Sequence, residues 1–401
     1  MLSWLAPLVV FGIVVFVHEL GHFIAAKLTG VYAPVFSLGW GSRAWGRKVG
    51  ETDYRISWLP IGGYVRMASR DDETMAKIEG GGETELPAGE AGAAAFAETG
   101  HAKGMNPVRY DDRALAPFGP IPVPEDRWFE SKAVWARVVI LLAGVTMNAL
   151  LTFAVLTMMF AVYGRPFVPP VVNEIVAGKP AAGAGLMSGD SIVAISGAPV
   201  ESWVDVLEKI TASPGKPITL DVRRNGARVV LTMTPEPTPG QDPATGEAIT
   251  VGRIGAGSRD PVRRNPVSLG QAVVEGWNST WDMAGSVLKV VRGLVTGAVS
   301  VKQLGGPIAI ARTSVQAARG GIEPLLFLIA FLSINIAILN LLPIPLLDGG
   351  NIVINIVEAI KGKAFSIRTR EYIMRAGLVV VLLLFVVVMR NDIMRLLGFA
   401  S

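Results

Sequence analysis

The 401-residue chain has no cysteine and only three histidines. The first absence excludes disulfides, thiol nucleophiles and every cysteine-ligated zinc site, and says nothing about redox compartment. Charge is scarce as well: Asp, Glu, Lys and Arg make up 17% of residues, against ~25% in ordinary soluble proteins. Together with 51% apolar residues, this excludes a wholly soluble enzyme and a disordered chain. The 37 basic and 33 acidic side chains leave a net charge of +4, which is no footprint for nucleic acid. No G-x-S-x-G stands in the sequence to frame a serine nucleophile.

What is present is four apolar stretches that could cross a bilayer, which takes about 20 such residues. The first covers residues 2–26, with no charge before Glu19. Lacking a basic n-region and an A-x-A site, it reads as a retained span rather than a signal peptide. The second covers 138–164, and the third, 325–347, is uncharged but holds Asn335, Asn340, Pro343 and Pro345. The fourth is a run of only 14 residues, 376–389, between Arg375 and Arg390. As helix it reaches roughly 21 Å, so the arginines are expected to snorkel or the bilayer to thin. Basic residues gather after span one (Lys27, Arg43, Arg47, Lys48), before span two (Arg127, Lys132, Arg137) and between spans three and four (Lys361, Lys363, Arg368, Arg370). The positive-inside rule makes that side cytoplasmic and turns the 165–265 segment outward.

Between the spans the chain changes character. Residues 35–65 alternate aromatic and β-branched side chains around glycines and read as short strands. Residues 71–100 hold eight acidic side chains and one lysine and read as part of a flexible cytoplasmic insert. Residues 168–235 read as a small soluble α+β domain. Its strands are expected near 171–176, 191–195, 218–223 and 229–233, its helix at 203–210, and its hairpin turn at Asn225-Gly226. A tail or linker follows at 235–247. Val273, Trp277, Trp281, Ala284 and Leu288 then mark an amphipathic helix, which either lies in the outer membrane interface or packs on the soluble domain.

The chemistry centres on His18-Glu19-Leu20-Gly21-His22. On a helix the two histidines stack on one face, where they can grip one zinc ion while Glu19 acts as general base. Ionisable groups inside an apolar span are costly and therefore functional by default. A zinc site on two histidines needs a third protein ligand and an open position. His101 lies in the Gly/Ala/acidic insert and is a poor candidate. Asp348 follows the Pro343/Pro345 break at the end of the third span, and local sequence leaves it two roles: third ligand, or N-cap of a helix at 351–360.

His18-Glu19-x-x-His22 in the first span, with Asn340-x-x-Pro343 and Asp348-Gly349 in a later one, resembles the site-2 protease family of intramembrane zinc metalloproteases, and within it the bacterial RseP type. Gly62-Gly63-Tyr64-Val65-Arg66-Met67 is similar to the family's re-entrant β element. Phe129-Glu130-Ser131-Lys132 and Ala143-Gly144 with Asn148 resemble the run into its second span, and Gly306-Pro307-Ile308 the stretch before its third. Ala184-Gly185-Leu186 and Gly189-Asp190-Ser191-Ile192 resemble a PDZ domain. The chain departs from the family at Gly144-Val145, where Gly-Pro is usual, and shows one PDZ-like segment where some relatives have two.

The resemblance implies a polytopic α-helical membrane protein with four transmembrane helices, a re-entrant β element and one inserted α+β PDZ-like domain. The expected divisions are 1–28 (first helix), 29–70 (membrane-associated β region), 71–130 (insert), 131–164 (second helix), 165–255 (PDZ-like), 265–301 (amphipathic helix), 322–360 (third helix with its break) and 372–398 (fourth helix). It implies Zn2+ held by His18, His22 and Asp348, with Glu19 as catalytic base. Asn340, Asn335, Gly62 and Gly63 would hold the substrate strand. Substrates would be single-span membrane proteins, such as an anti-sigma factor, cut in or near the bacterial inner membrane after an earlier cut, with peptide tails meeting a periplasmic PDZ-like domain. Two other readings compete: a non-catalytic PDZ-bearing membrane scaffold, and a metal transporter. The intact His18, Glu19, His22 and Asp348 speak against the first, and the lack of a visible inverted repeat against the second.

Overall fold

The computed structural model describes residues 3–69, 125–241 and 248–398. The sequence expectations for residues 71–124, including His101, lie outside these. The chain divides into two compact units: residues 1–156 with 301–401, and residues 157–300.

In the first unit, helix α1 (Ala6–Leu28) leads into strands β1 (Val35–Val49) and β2 (Thr52–Arg66), and helix α2 (Val134–Tyr163) follows. Among the described residues, four helices are long and apolar enough to cross a membrane: residues 3–28, 134–163, 322–340 and 368–396. Residues 35–38 of β1 are paired twice along β2: Val35 faces both Asp53 and Arg66, and Leu38 both Ile56 and Gly63. The two strands thus form a folded sheet rather than one long hairpin, leaving residues 63–66 as an outer run beside α1. At the hairpin tip, Glu51 accepts from Lys27 Nζ (2.6 Å) and from both terminal nitrogens of Arg127 (2.8 and 2.9 Å). Partial burial pushes the Glu51 carboxyl up, but the bonds from Arg127 and Lys27 outweigh it and hold it below the usual carboxylate range. Arg127 belongs to the last residues of the expected insert, so that end of the insert is part of the folded unit.

The second unit, residues 157–300, contains β3 (Arg165–Phe167), β4 (Glu174–Ile175), α3 (Pro180–Gly183), β5 (Ser191–Ile195), β6 (Ala198–Pro199), α4 (Trp203–Thr211), β7 (Ile218–Arg224), β8 (Ala227–Met233), β9 (Glu236–Gln241), β10 (Ala248–Arg253), β11 (Ala256–Gly257), β12 (Arg263–Asn265) and α5 (Leu269–Thr296). Its main sheet runs β6-β5-β7-β8. The β7–β8 turn falls on Asn225 (φ 49) and Gly226 (φ 86), both left-handed as a type I′ turn demands. Helix α4 is capped by Ser202 and Asp205 in a reciprocal capping box. The core is apolar throughout: Val172, Ile192, Val206, Leu220, Val222 and Ile254 are among its buried residues.

Two expectations are corrected here. Residues 236–241 of the expected tail instead form β9, which pairs with β10 beyond the tail's expected end, and β9 tolerates Pro237 and Pro239 as an outer strand does. The strand expected over 171–176 shrinks to β4, which pairs with β11 beyond the expected end of the domain. In α5 the buried face is made of small residues, Ala272, Gly276, Thr280 and Ala284, and Gly276 lies against the backbone of Thr157. Trp277 and Trp281 stack edge to face at 5.7 Å on the outer side and are more than half exposed. Val273, Trp277, Trp281 and Leu288 of the apolar stripe visible in the sequence are therefore on the outward face, while Ala284 is buried.

Back in the first unit, α6 (Pro307–Gly320), α7 (Ile322–Asn340), α8 (Asp348–Lys361) and α9 (Ile367–Leu396) complete the chain. Helix α6 was not expected from its mixed polar sequence. Its first turn is held by Asp392 of α9, whose carboxylate accepts from the backbone N–H groups of Gly306, Ile308 and Ala309 (2.9–3.0 Å). Three bonds offset the burial of that charge. The fourth helix, expected over 372–398, is α9, which spans 30 residues, about 45 Å as helix, and carries Arg375 and Arg390 within it. Val10 and Val14 of α1 meet Leu328, Ile329 and Leu332 of α7. Helices α2 and α7 are joined by hydroxyl bonds, Thr152 Oγ1 to Ala330 O (3.0 Å) and Ser333 Oγ to Asn148 O (2.9 Å), the polar glue that helices in lipid use.

Candidate metal centre

His18 and His22 lie one turn apart on α1, both buried, with rings crossed at 85°. The third element arrives from the opposite end of the sequence. After α7 ends at Asn340 the chain turns through Pro343 and Pro345, and Leu346 sits at φ 87, a strained conformation for a leucine. Helix α8 then starts at Asp348. Gly350 admits the turn, since a Cβ there would meet Ile344 O at 2.2 Å. Asp348 is the first helical residue, Leu347 stands at the cap position, and no side chain caps the helix. The N-cap alternative therefore gives way: the Asp348 carboxylate points at the histidines.

Three potential ligand atoms converge. His18 Nε2 lies 3.1 Å from His22 Nε2 and 3.1 Å from Asp348 Oδ2, and His22 Nε2 lies 3.4 Å from the same oxygen. A tetrahedral zinc with bonds near 2.0–2.1 Å requires its ligand atoms about 3.3 Å apart, so this set has the right size. The donor chemistry fits as well. His22 Nδ1 donates to Ile140 O (2.8 Å), which leaves the Nε2 lone pair facing the centre. Asp348 Oδ2 is buried without a hydrogen-bond partner, a costly state unless a cation or donor meets it. Gly144 of α2 makes room: a Cβ there would fall 2.4 Å from His22 Nε2. Helix α2 remains unbroken through Gly144-Val145.

The other expected residues distribute unevenly. Glu19 interacts electrostatically with His22, His18 and Asp348, and its carboxylate faces the Val65 backbone N–H. Gly63 lies directly against it: a Cβ on Gly63 would be 3.4 Å from Glu19 Cγ. Gly62, at φ 77, borders the Trp40 indole instead. Asn340 Nδ2 is 3.2 Å from His18 Nε2, at the centre. Asn335 is not brought there; its amide donates to Phe331 O one turn back on α7. Ile140 O and Asn148 were not singled out as site residues. Asn148 is fully buried beside His18, and a polar amide in an uncharged span was the signal that could have marked it.

Comparison with known proteins identifies the class. The chain matches peptidase family M50 over residues 6–384 and belongs to that family. It is 33% identical to a zinc metalloprotease RasP of Bacillus licheniformis, over 98% of this chain and 99% of the relative. It is 32% identical to the regulator of sigma-W protease RasP of Bacillus subtilis, over 98% of both. A putative zinc metalloprotease of Agrobacterium fabrum is 31% identical over 99% of this chain and 97% of its own length. The chain is thus a multi-pass membrane metalloprotease of the site-2 type, with zinc as its metal.

Proposed function

We propose that His18, His22 and Asp348 hold the zinc and that Glu19 is the catalytic base of an endopeptidase working at membrane depth. The observation that carries this reading is the convergence of three ligand atoms at 3.1–3.4 Å around an unpartnered carboxylate oxygen. When bound, zinc supplies Lewis-acid polarisation of the scissile carbonyl and acidifies water. Glu19 takes the proton from the attacking water and delivers it to the leaving amine. Asn340, beside His18, orients the substrate carbonyl.

A transmembrane substrate hides its backbone in internal hydrogen bonds and must unwind to be cut. The outer run at residues 63–66, lying against Glu19, offers it backbone partners by strand addition. Gly63 keeps that approach narrow. Substrates are single-span membrane proteins already shortened by another protease. The sigma-W regulator among the relatives makes an anti-sigma factor the natural class. The soluble core of the second unit is a PDZ-like domain that meets extended tails. Its β4 strand already has β11 along one edge, so strand addition by a tail beside residues 172–176 is confined to what that pairing leaves free. The distribution of basic side chains, read by the positive-inside rule, supports an outward 165–265 segment in a bacterial inner membrane.

The test is zinc per chain in gently purified protein. About one zinc in the wild type, lost in both His22→Ala and Asp348→Ala, supports the site. Zinc surviving Asp348→Ala would remove Asp348 from it.

A further inference from the structure

One buried amide in the second span is left in a configuration that the metal site itself contradicts. Asn148 of α2 has no exposed surface. Its Nδ2 faces His18 Nδ1 at 3.5 Å, while its Oδ1 is buried without any hydrogen-bond partner. His18 Nε2 is the nitrogen turned towards His22 Nε2 and Asp348 Oδ2. A neutral imidazole whose Nε2 lone pair faces a cation must carry its proton on Nδ1. That Nδ1–H would then oppose the NH2 group of Asn148, donor against donor, with the amide oxygen orphaned a few ångströms away.

Rotating the amide by half a turn resolves both faults. Oxygen and nitrogen of an asparagine are told apart by their hydrogen-bond partners rather than by shape. We propose that Asn148 is a positioning residue: its Oδ1 accepts the Nδ1–H of His18 and so fixes the tautomer and ring angle that turn Nε2 to the zinc. This rests on the metal reading above. It makes the two histidines parallel cases, because His22 Nδ1 has Ile140 O and His18 Nδ1 has Asn148. Both acceptors come from α2, two turns apart, so one helix orients both rings of the other. The main-chain carbonyl of Asn148 serves the α2–α7 junction, apart from the side-chain amide that faces His18. This carbonyl accepts from Ser333 Oγ (2.9 Å) and from Thr152 Oγ1 (3.0 Å), whose single hydroxyl proton is shared with Ala330 O (3.0 Å).

The experiment compares zinc affinity, by chelator competition in detergent, for the full-length wild type, Asn148→Leu, Asn148→Asp and Thr152→Val. Removing an outer partner of a metal-binding histidine costs roughly 10–100-fold in metal affinity, and that loss is expected for Asn148→Leu. Asn148→Asp retains an acceptor of the same size and is expected to bind as tightly as wild type or more so. Thr152→Val loosens the α2–α7 junction without touching the acceptor and is expected to leave affinity unchanged while lowering the melting temperature. In protein labelled with 15N in its histidine rings, the His18 Nδ1 proton should be protected from exchange in wild type and Asn148→Asp but not in Asn148→Leu. Wild-type affinity in Asn148→Leu overturns the assignment, as does an Asn148→Asp protein as weak as Asn148→Leu. Equal weakening by Thr152→Val shows packing to be the cause and overturns it too. A wild type that takes up no zinc overturns the metal reading itself, an outcome distinct from the other three.

Discussion

Both units bury apolar clusters, but they differ in how much polar chemistry they bury beside them. The core in residues 157–300 is built of Val172, Ile192, Val206, Leu220 and Val222, and its buried charge, Asp190, is answered by Arg224. In the membrane-spanning unit the buried set includes His18, His22, Asn148, Thr152, Ser333, Asn355, Glu358 and Asp392, while Leu382, Leu383 and Val386 of α9 lie exposed. The difference follows from the solvent. Water drives apolar side chains inward, whereas lipid rewards an apolar exterior and leaves the interior free for polar groups that pair with one another. An inside-out distribution concentrates the chemistry in one unit and leaves the other to fold as an ordinary soluble domain.

That contrast can be broken or sharpened experimentally. The largest effect belongs to the chemistry: Glu19→Gln should retain zinc yet lower cleavage of a membrane-embedded reporter by on the order of 10²–10⁴, as measured by product formation. A fully active Glu19→Gln protein would remove Glu19 from the mechanism. Next is the buried ion network. Glu358 accepts from Arg370 (3.0 and 2.7 Å) and from the Phe365 N–H (2.8 Å), and Arg137 of α2 reaches both Asn355 (2.6 Å) and Glu358 (3.9 Å). Breaking such a pair leaves unmatched cations, so Glu358→Gln should cost about 3–5 kcal/mol, read as a lower midpoint of thermal unfolding in detergent. An unchanged midpoint would show that water reaches this network.

Leu220→Ala in the soluble core should cost about 2–5 kcal/mol in the unfolding step of that unit, with zinc content unchanged; zinc loss would mean that the two units do not fold independently. The smallest effect is pH-dependent. Hydrogen bonds from Arg224 outweigh burial and, with the Met187 N–H, hold the Asp190 carboxyl below the usual carboxylate range. A depressed carboxyl stabilises the fold above its unfolded pKa of about 3.9, and that contribution fades as pH falls through the lower folded value. Wild type should therefore exceed Asp190→Asn in stability at pH 5, and the gap should shrink toward pH 2–3. A gap constant across that range would contradict the pairing.

Much was determined by sequence alone. Local patterns sufficed for the four long apolar helices, the Asn225-Gly226 turn and the placing of His18 and His22 on one face of α1, because each depends on residues close together in the chain: apolar length, turn residues, one helical turn. Local pattern failed where partners are remote. Nothing near Pro307 announces α6, whose N-terminus is capped by Asp392. The prolines at 237 and 239 suggested a tail until β10 paired with β9. The tryptophan stripe of α5 left two readings open, membrane interface or packing face, and the small residues around Gly276, which lies against Thr157, form the buried side instead. Asp348 could cap a helix or face a metal, and only the folded turn through Leu346 decided, by carrying its carboxylate to His18 and His22 across more than three hundred residues of sequence. Asn335 and Asn340 look alike in the same span, yet they stand five positions apart, nearly a turn and a half of helix, enough to send one amide to the centre and the other back to its own helix. Residue type states which chemistry is available; convergence at three ångströms is a property of the packed chain, because it depends on helix crossings that no single segment contains.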